Sequence, residues 1–176
     1  AFAEGMQASK VIPTYKHFPG LGRVKDNTDT SAGVVDSTTT RSADTAVSVI
    51  FGAAIAAGAP VIMVSSATYS LIDPSAPAVF SSTIVTDMLR REMGFSGVVI
   101  TDDVSAAAQV QDVSAGDRAV RAIRAGCDLV LASADPTVAA DMVKALIATA
   151  RSDPAFAARV DESATRVLNL KKSLQS

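Results

Sequence analysis

"GVVITDD" (residues 97–103) joins a Val/Ile run of strand length to two adjacent carboxylates, and the fold follows from how often the chain repeats that pattern. Three other runs share it. "VIPTY" (11–15) leads into Lys16 and His17, "PVIMVSS" (60–66) ends on Ser65 and Ser66, and "DLVLAS" (128–133) ends on Ser133. Nearly continuous hydrophobicity suits parallel strands covered on both faces. Between the runs lie amphipathic stretches with helix punctuation: "SADTAVSVIFGAAIAAG" (42–58) and "GDRAVRAIRAG" (116–126) end on glycine, and "SSTIVTDMLRREMGF" (81–95) opens on serines. Residues 136–151 and 160–173 continue the helical period. The predicted order is β-α-β-α-β-α-β-α.

Four such units fit either an open doubly wound sheet or half of a (β/α)8 barrel. No strand is followed by a complete G-x-G-x-x-G, and "GLGRVK" (20–25) matches it only in part, which weakens the dinucleotide-binding form. Barrels collect their chemistry where strands end, and here the polar residues Lys16-His17, Ser65-Ser66, Asp102-Asp103 and Ser133 all fall on that rim. The opening "AFAEGMQASK" (1–10) carries no signal-peptide pattern and reads as a helix end running into a strand, as an interior cut through an alternating fold would.

Composition narrows the partners. With 176 residues, 48% of them hydrophobic, the chain can bury a core. A net charge of −2 leaves no basic stripe for nucleic acid, and no run reaches the roughly 18 apolar residues that a membrane span needs. The single cysteine, Cys127, sits in apolar context and reads as a small buried hydrophobe. No His/Cys ligand cluster or phosphate cradle is present, so no metal or cofactor is expected.

The candidate chemistry lies around "TYKHFPGLGRVKDNTD" (14–29), which holds the only histidine, His17. Taken singly, Lys16 reads as a solvated charge, His17 as a satisfied core residue, and Asp102-Asp103 as a helix cap about as readily as a reactive pair. Their co-location at one rim favours chemistry. The connection from Gly20 to about Asp36 exceeds the roughly two to six residues of an ordinary βα loop, and it carries Asp26, Asp29 and Asp36. One carboxylate on a rigid strand end and another on such a loop is what cleavage of a glycosidic bond requires.

"KHFPGLG", the polar loop after it, "GFSGVVITDDVSA" and "RAIRAGCDLVL" together resemble the C-terminal half of the catalytic barrel of glycoside hydrolase family 3, in its β-N-acetylhexosaminidase branch. The resemblance covers nearly the whole chain. It implies an α/β fold, strands 5–8 of a TIM-type barrel, with residues 1–176 forming a partial catalytic domain that lacks its N-terminal half. It further implies that Lys16 and His17 hold sugar hydroxyls and that Asp102 is the nucleophile; Asp103 is expected to orient that nucleophile or to cap the next helix.

The sequence departs from the family where the acid/base should be. The branch usually continues "KHFPGHGDT" to a "DSH" whose Asp-His pair moves the proton; here Asn27, Thr28 and Asp29 stand at those three places. Leu21 and Arg23 replace the usual His and Asp, and Ser66 stands where a sixth-strand histidine is usual. This variant is similar to an actinobacterial subgroup of envelope lipoproteins. Asp29 is the natural substitute acid/base, since a carboxyl can do the histidine's work when desolvation or a neighbouring negative charge raises its pKa. Arg23 and Ser66 join Lys16 and His17 as candidate substrate contacts.

The leading expectation is a retaining exo-β-N-acetylglucosaminidase acting on peptidoglycan fragments or related amino-sugar glycosides, active together with the missing half, supplied as a separate chain or another copy. A phosphorylase, to which Arg23 lends slight support, and a non-catalytic sugar-binding half barrel remain open; a Schiff-base enzyme using Lys16 is a distant fourth. The implied location is the cell envelope or the exterior, with the cytoplasm still open.

Overall fold

The computed structural model describes residues 2–41 and 46–174. A short helix α1 (Phe2–Ala8) leads into β1 (Thr14–Phe18), and the main sheet is completed by β3 (Val61–Val64), β6 (Val98–Asp103) and β7 (Leu129–Leu131). All pairings in it are parallel, and its spatial order, β1-β3-β6-β7, is also chain order. That settles the choice between architectures. A doubly wound sheet reverses its strand order at a switch point, whereas a barrel adds each strand beside the last. The chain forms an α/β half barrel.

Helical segments follow each strand. Residues Ala46–Phe51 and α2 (Gly52–Ala56) follow β1; the wide-wound π-helix Thr83–Glu92 follows β3; α3 (Ala115–Ala125) follows β6; α4 (Ala139–Ser152) and α5 (Pro154–Lys172) follow β7. Residues 42–45, part of the helix expected over 42–58, lie outside the described residues. Serine does start the helix after β3: the Ser81 hydroxyl accepts from the Ile84 amide at 3.2 Å. Gly126 ends α3 at φ 118°, and a Cβ there would approach Thr86 Oγ1 to 2.5 Å, so both backbone and space require glycine.

Two boundaries shift from expectation for physical reasons, and one sheet is added. The first strand begins after Pro13 rather than at Val11, because proline cannot donate to the ladder, and so Lys16 and His17 lie within β1 rather than beyond it. The last helix begins at Pro154, not 160, because Asp153 caps it by accepting from the Ala155 and Phe156 amides. The two rim loops also build a second sheet that periodicity did not reveal. In it β2 (Val35–Asp36) pairs parallel with β4 (Thr68–Tyr69), which pairs antiparallel with β5 (Asp73–Pro77).

The register places side chains on two faces. Met63 pairs with Ile100, and alternation puts Val61, Val98 and Asp102 with them on the inner barrel face. Ile62, Val64 and Val99 point the other way and share one buried cluster with Ile84, Val85, Met88 and Leu89 from the helix that follows β3. Each large side chain buried there contributes about 1.5–3 kcal/mol. Phe18, fully buried, closes the β1 end by packing edge-on to Phe51 at 5.1 Å between ring centroids.

Candidate active site

Strands β1 and β6 carry the candidate residues to one rim, on either side of β3. The chain leaves β1 through two cis peptide bonds, Lys16–His17 and Phe18–Pro19, and turns at Gly20, whose φ of 138° suits only glycine. His17 and Asp102 come together, Nε2 to Oδ2 at 3.7 Å, a separation longer than a hydrogen bond, with side chains 21% and 16% exposed. Burial is the main influence on both. It lowers the His17 pKa, so the imidazole is neutral near pH 7, and it raises the carboxyl of Asp102 above the ordinary range, partly opposed by His17, the Asp103 amide and Lys16. Asp29 lies close enough that its charge pushes both groups upward. Lys16, His17, Asp29 and Asp102 therefore form one electrostatic cluster.

Adjacent positions on β6 have opposite environments. Asp102 Oδ1 accepts one bond, from the Asp103 amide at 2.9 Å. Asp103, on the other face, is saturated: Oδ1 accepts from Ser105 N, Ser105 Oγ and Ala106 N, and Oδ2 from Ser133 N, Ser133 Oγ and Ala134 N. Partial burial alone would raise its carboxyl, but the donors from Ser105, Ser133 and Ala134 hold it far below the usual range. It ties the end of β6 to the end of β7. Ser133, which sequence gave no chemical role, is part of that tie.

The other candidates separate. Ser66 is fully buried, and its hydroxyl has no hydrogen-bond partner among the described residues. Arg23 donates to Thr39 Oγ1 at 3.1 Å and lines a cavity of about 320 Å3 with Lys25, Asp26 and Val34, on the body of the loop. Asp36 is also spoken for: it accepts from the amides and hydroxyls of Thr38 and Thr39 and is 1% exposed. Of the loop acids, Asp26 and Asp29 stay exposed, and Asp29 is the one that acts on Asp102. Sequence reading missed Gln109, which joins this loop to the segment after Asp102; a glutamine in an apolar run gave no signal.

The sequence profile described as glycosyl hydrolase family 3 N terminal domain matches residues 1–170. The chain belongs to glycosyl hydrolase family 3. A solved β-N-acetylhexosaminidase from Beutenbergia cavernae superposes with a TM-score of 0.95 at 59% identity, over 97% of this chain and 50% of that one. The half-barrel reading agrees with that coverage. An uncharacterized secreted glycosyl hydrolase of Arthroderma benhamiae is 34% identical over 100% of this chain and 50% of its own length. A beta-hexosaminidase of Stenotrophomonas maltophilia is 38% identical over 74% of this chain and 38% of its own. The family 3 chain thus spans half or less of each of these three relatives. Among the described residues no helix is long and apolar enough to cross a membrane.

Proposed function

We propose that the protein is a retaining exo-β-N-acetylglucosaminidase that removes amino sugars from peptidoglycan fragments or related glycosides, with the other half of the barrel completing its sugar pocket. The observation that carries this is Asp102: a carboxylate at a strand end, largely buried, with a single hydrogen bond among the described residues and most of its acceptor capacity open. A buried carboxylate is ordinarily paired; one left open beside Lys16 and His17 suits attack on an electrophilic carbon. The names of the Beutenbergia and Stenotrophomonas relatives support the sugar class. The secreted Arthroderma relative supports a location outside the cytoplasm; the envelope-lipoprotein form of the full-length protein rests on the sequence resemblance alone.

In the first step Asp102 attacks the anomeric carbon while the bond to the leaving oxygen breaks and Asp29, as the carboxylic acid, gives that oxygen its proton. The product is a glycosyl ester on Asp102. Water then attacks the same carbon, Asp29 takes its proton, and the Asp102 carboxylate departs, so configuration is retained. Lys16 and neutral His17 hold glycone hydroxyls, and their bonds strengthen as the ring distorts. Asp103 fixes the backbone at the end of β6 behind the nucleophile.

Asp29 is tested by leaving group. In the full-length protein, Asp29→Ala should slow hydrolysis of an unactivated amino-sugar glycoside by about 100-fold or more, and that of an activated aryl glycoside far less, since the latter needs little protonation. Azide should partly restore turnover of the activated substrate. Equal damage to both without azide rescue would assign Asp29 to loop order instead.

A further inference from the structure

We propose that Gln109 is the positioning residue for Asp29, holding the acid-bearing loop at a fixed distance from the nucleophile. The loop between β1 and β2 is anchored at both ends: Tyr69 donates its hydroxyl to Gly20 O at 3.1 Å, and Asp36 knits residues 36–39 beside β2. Neither anchor reaches Asp29. The middle of the loop is held from the other side, by the segment that follows Asp102. Ala108 N donates to Asp29 O at 3.0 Å and Gln109 N to Thr28 O at 3.1 Å. The Gln109 side chain then closes a two-way clamp on the backbone of one residue: Oε1 accepts from Val34 N at 2.7 Å, and Nε2 donates to Val34 O at 3.1 Å and more weakly to Thr68 Oγ1 at 3.5 Å.

Burial makes the clamp matter. Gln109 is 8% exposed, Val34 4% and Thr28 3%, so water cannot replace these bonds cheaply. A primary amide is the side chain suited to the task, because it offers a donor and an acceptor on one plane at the reach of a neighbouring peptide. The clamp lies seven positions beyond Asp102 on a segment fixed by the Asp103 bonds to Ser105 and Ala106. Nucleophile and acid are thus referenced to one piece of backbone. The residue touches no reacting atom and acts through the loop. This inference rests on Asp29 being the acid.

The test is Gln109→Leu in the full-length protein. Gln109→Leu should lower kcat on an unactivated amino-sugar glycoside by about tenfold or more, on the order of one buried hydrogen bond, with KM and the acid limb little changed and an activated aryl glycoside affected only about twofold. A general weakening of the fold would damage both substrates alike, and that result, or no loss at all, overturns the inference. Amide exchange reads the clamp without reference to chemistry: residues 28–34 should exchange faster in Gln109→Leu while β3 and β6 keep their protection, and an unchanged Val34 amide would also overturn it. If Asp29→Ala spares unactivated glycosides, the assignment of the acid is wrong, and the exchange result alone then decides whether Gln109 holds the loop.

Discussion

The two ends of the sheet treat buried carboxylates in opposite ways. At the rim, Asp102 accepts one hydrogen bond among the described residues, and burial pushes its carboxyl upward. At the start of β7, Asp128 is fully buried and receives Arg90 at 2.5 Å, Arg159 at 2.5 Å and Arg166 at 3.2 Å, together with the Val99 amide and the Ser163 hydroxyl. The second carboxylate joins the π-helix, β6, β7 and α5. Among the described residues the first meets only His17 across the rim and its own neighbour's amide. An uncompensated charge costs stability and is tolerated where a substrate is to meet it; a compensated one fixes geometry and has no capacity left for chemistry. This matches the division of labour in barrels, with reactivity at the C-terminal ends of strands and stability at the other end.

Substitutions at the two ends should separate activity from stability. Asp102→Asn should cut kcat/KM by about 10^4-fold, because no covalent intermediate forms, a loss of about 5 kcal/mol of transition-state stabilisation. Stability should hold or rise. The folded-state pKa of Asp102 lies above its unfolded value, so the ionised group opposes folding increasingly as pH rises from about 4 through the raised value, and the amide removes that penalty. Urea denaturation at pH 4 and pH 7 checks the sign, and a variant destabilised at pH 7 would break the comparison.

Asp128→Asn should do the reverse. It strands three guanidinium groups and should cost about 3–5 kcal/mol in urea denaturation while kcat per folded molecule stays near wild type. Loss of activity at full stability would contradict the assignment of that end to structure.

Lys16→Ala sharpens the rim itself. Losing one charged hydrogen bond to the glycone should lower kcat/KM by about 100-fold. The Lys16 charge also favours ionised Asp102, so its removal should move the acid limb to slightly higher pH with both limbs intact. Disappearance of a limb would make Lys16 a proton carrier.

The rim was readable in sequence because strand ends in a parallel fold announce themselves: an apolar run stops and polar residues begin, as at Thr101-Asp102-Asp103. Alternation along β6 even separates Asp102 from Asp103, since neighbours on a strand face opposite ways. The far end was hidden. Asp128 precedes an apolar run and looks like turn punctuation, and its arginines come from 31 to 38 positions away in sequence, a distance local patterning cannot span. The small second sheet escaped for a different reason, since the two-residue strands β2 and β4 show no period. The bond from Arg23 to Thr39, 16 positions along the chain, was not legible either, because a loop without a period does not show where it folds back. Asp153-Pro154 was a legible helix start that the amphipathic pattern of 160–173 overshadowed.

The central claim is that Asp102 bonds covalently to the sugar. Treating the full-length protein with a 5-fluoro N-acetylglucosaminyl fluoride, whose ring fluorine slows both steps while the good leaving group lets the first proceed, should trap a glycosyl ester, and peptide mapping should find the added mass on Asp102. Label on Asp103 or Asp29, or burst-free turnover with no labelled peptide, would contradict it.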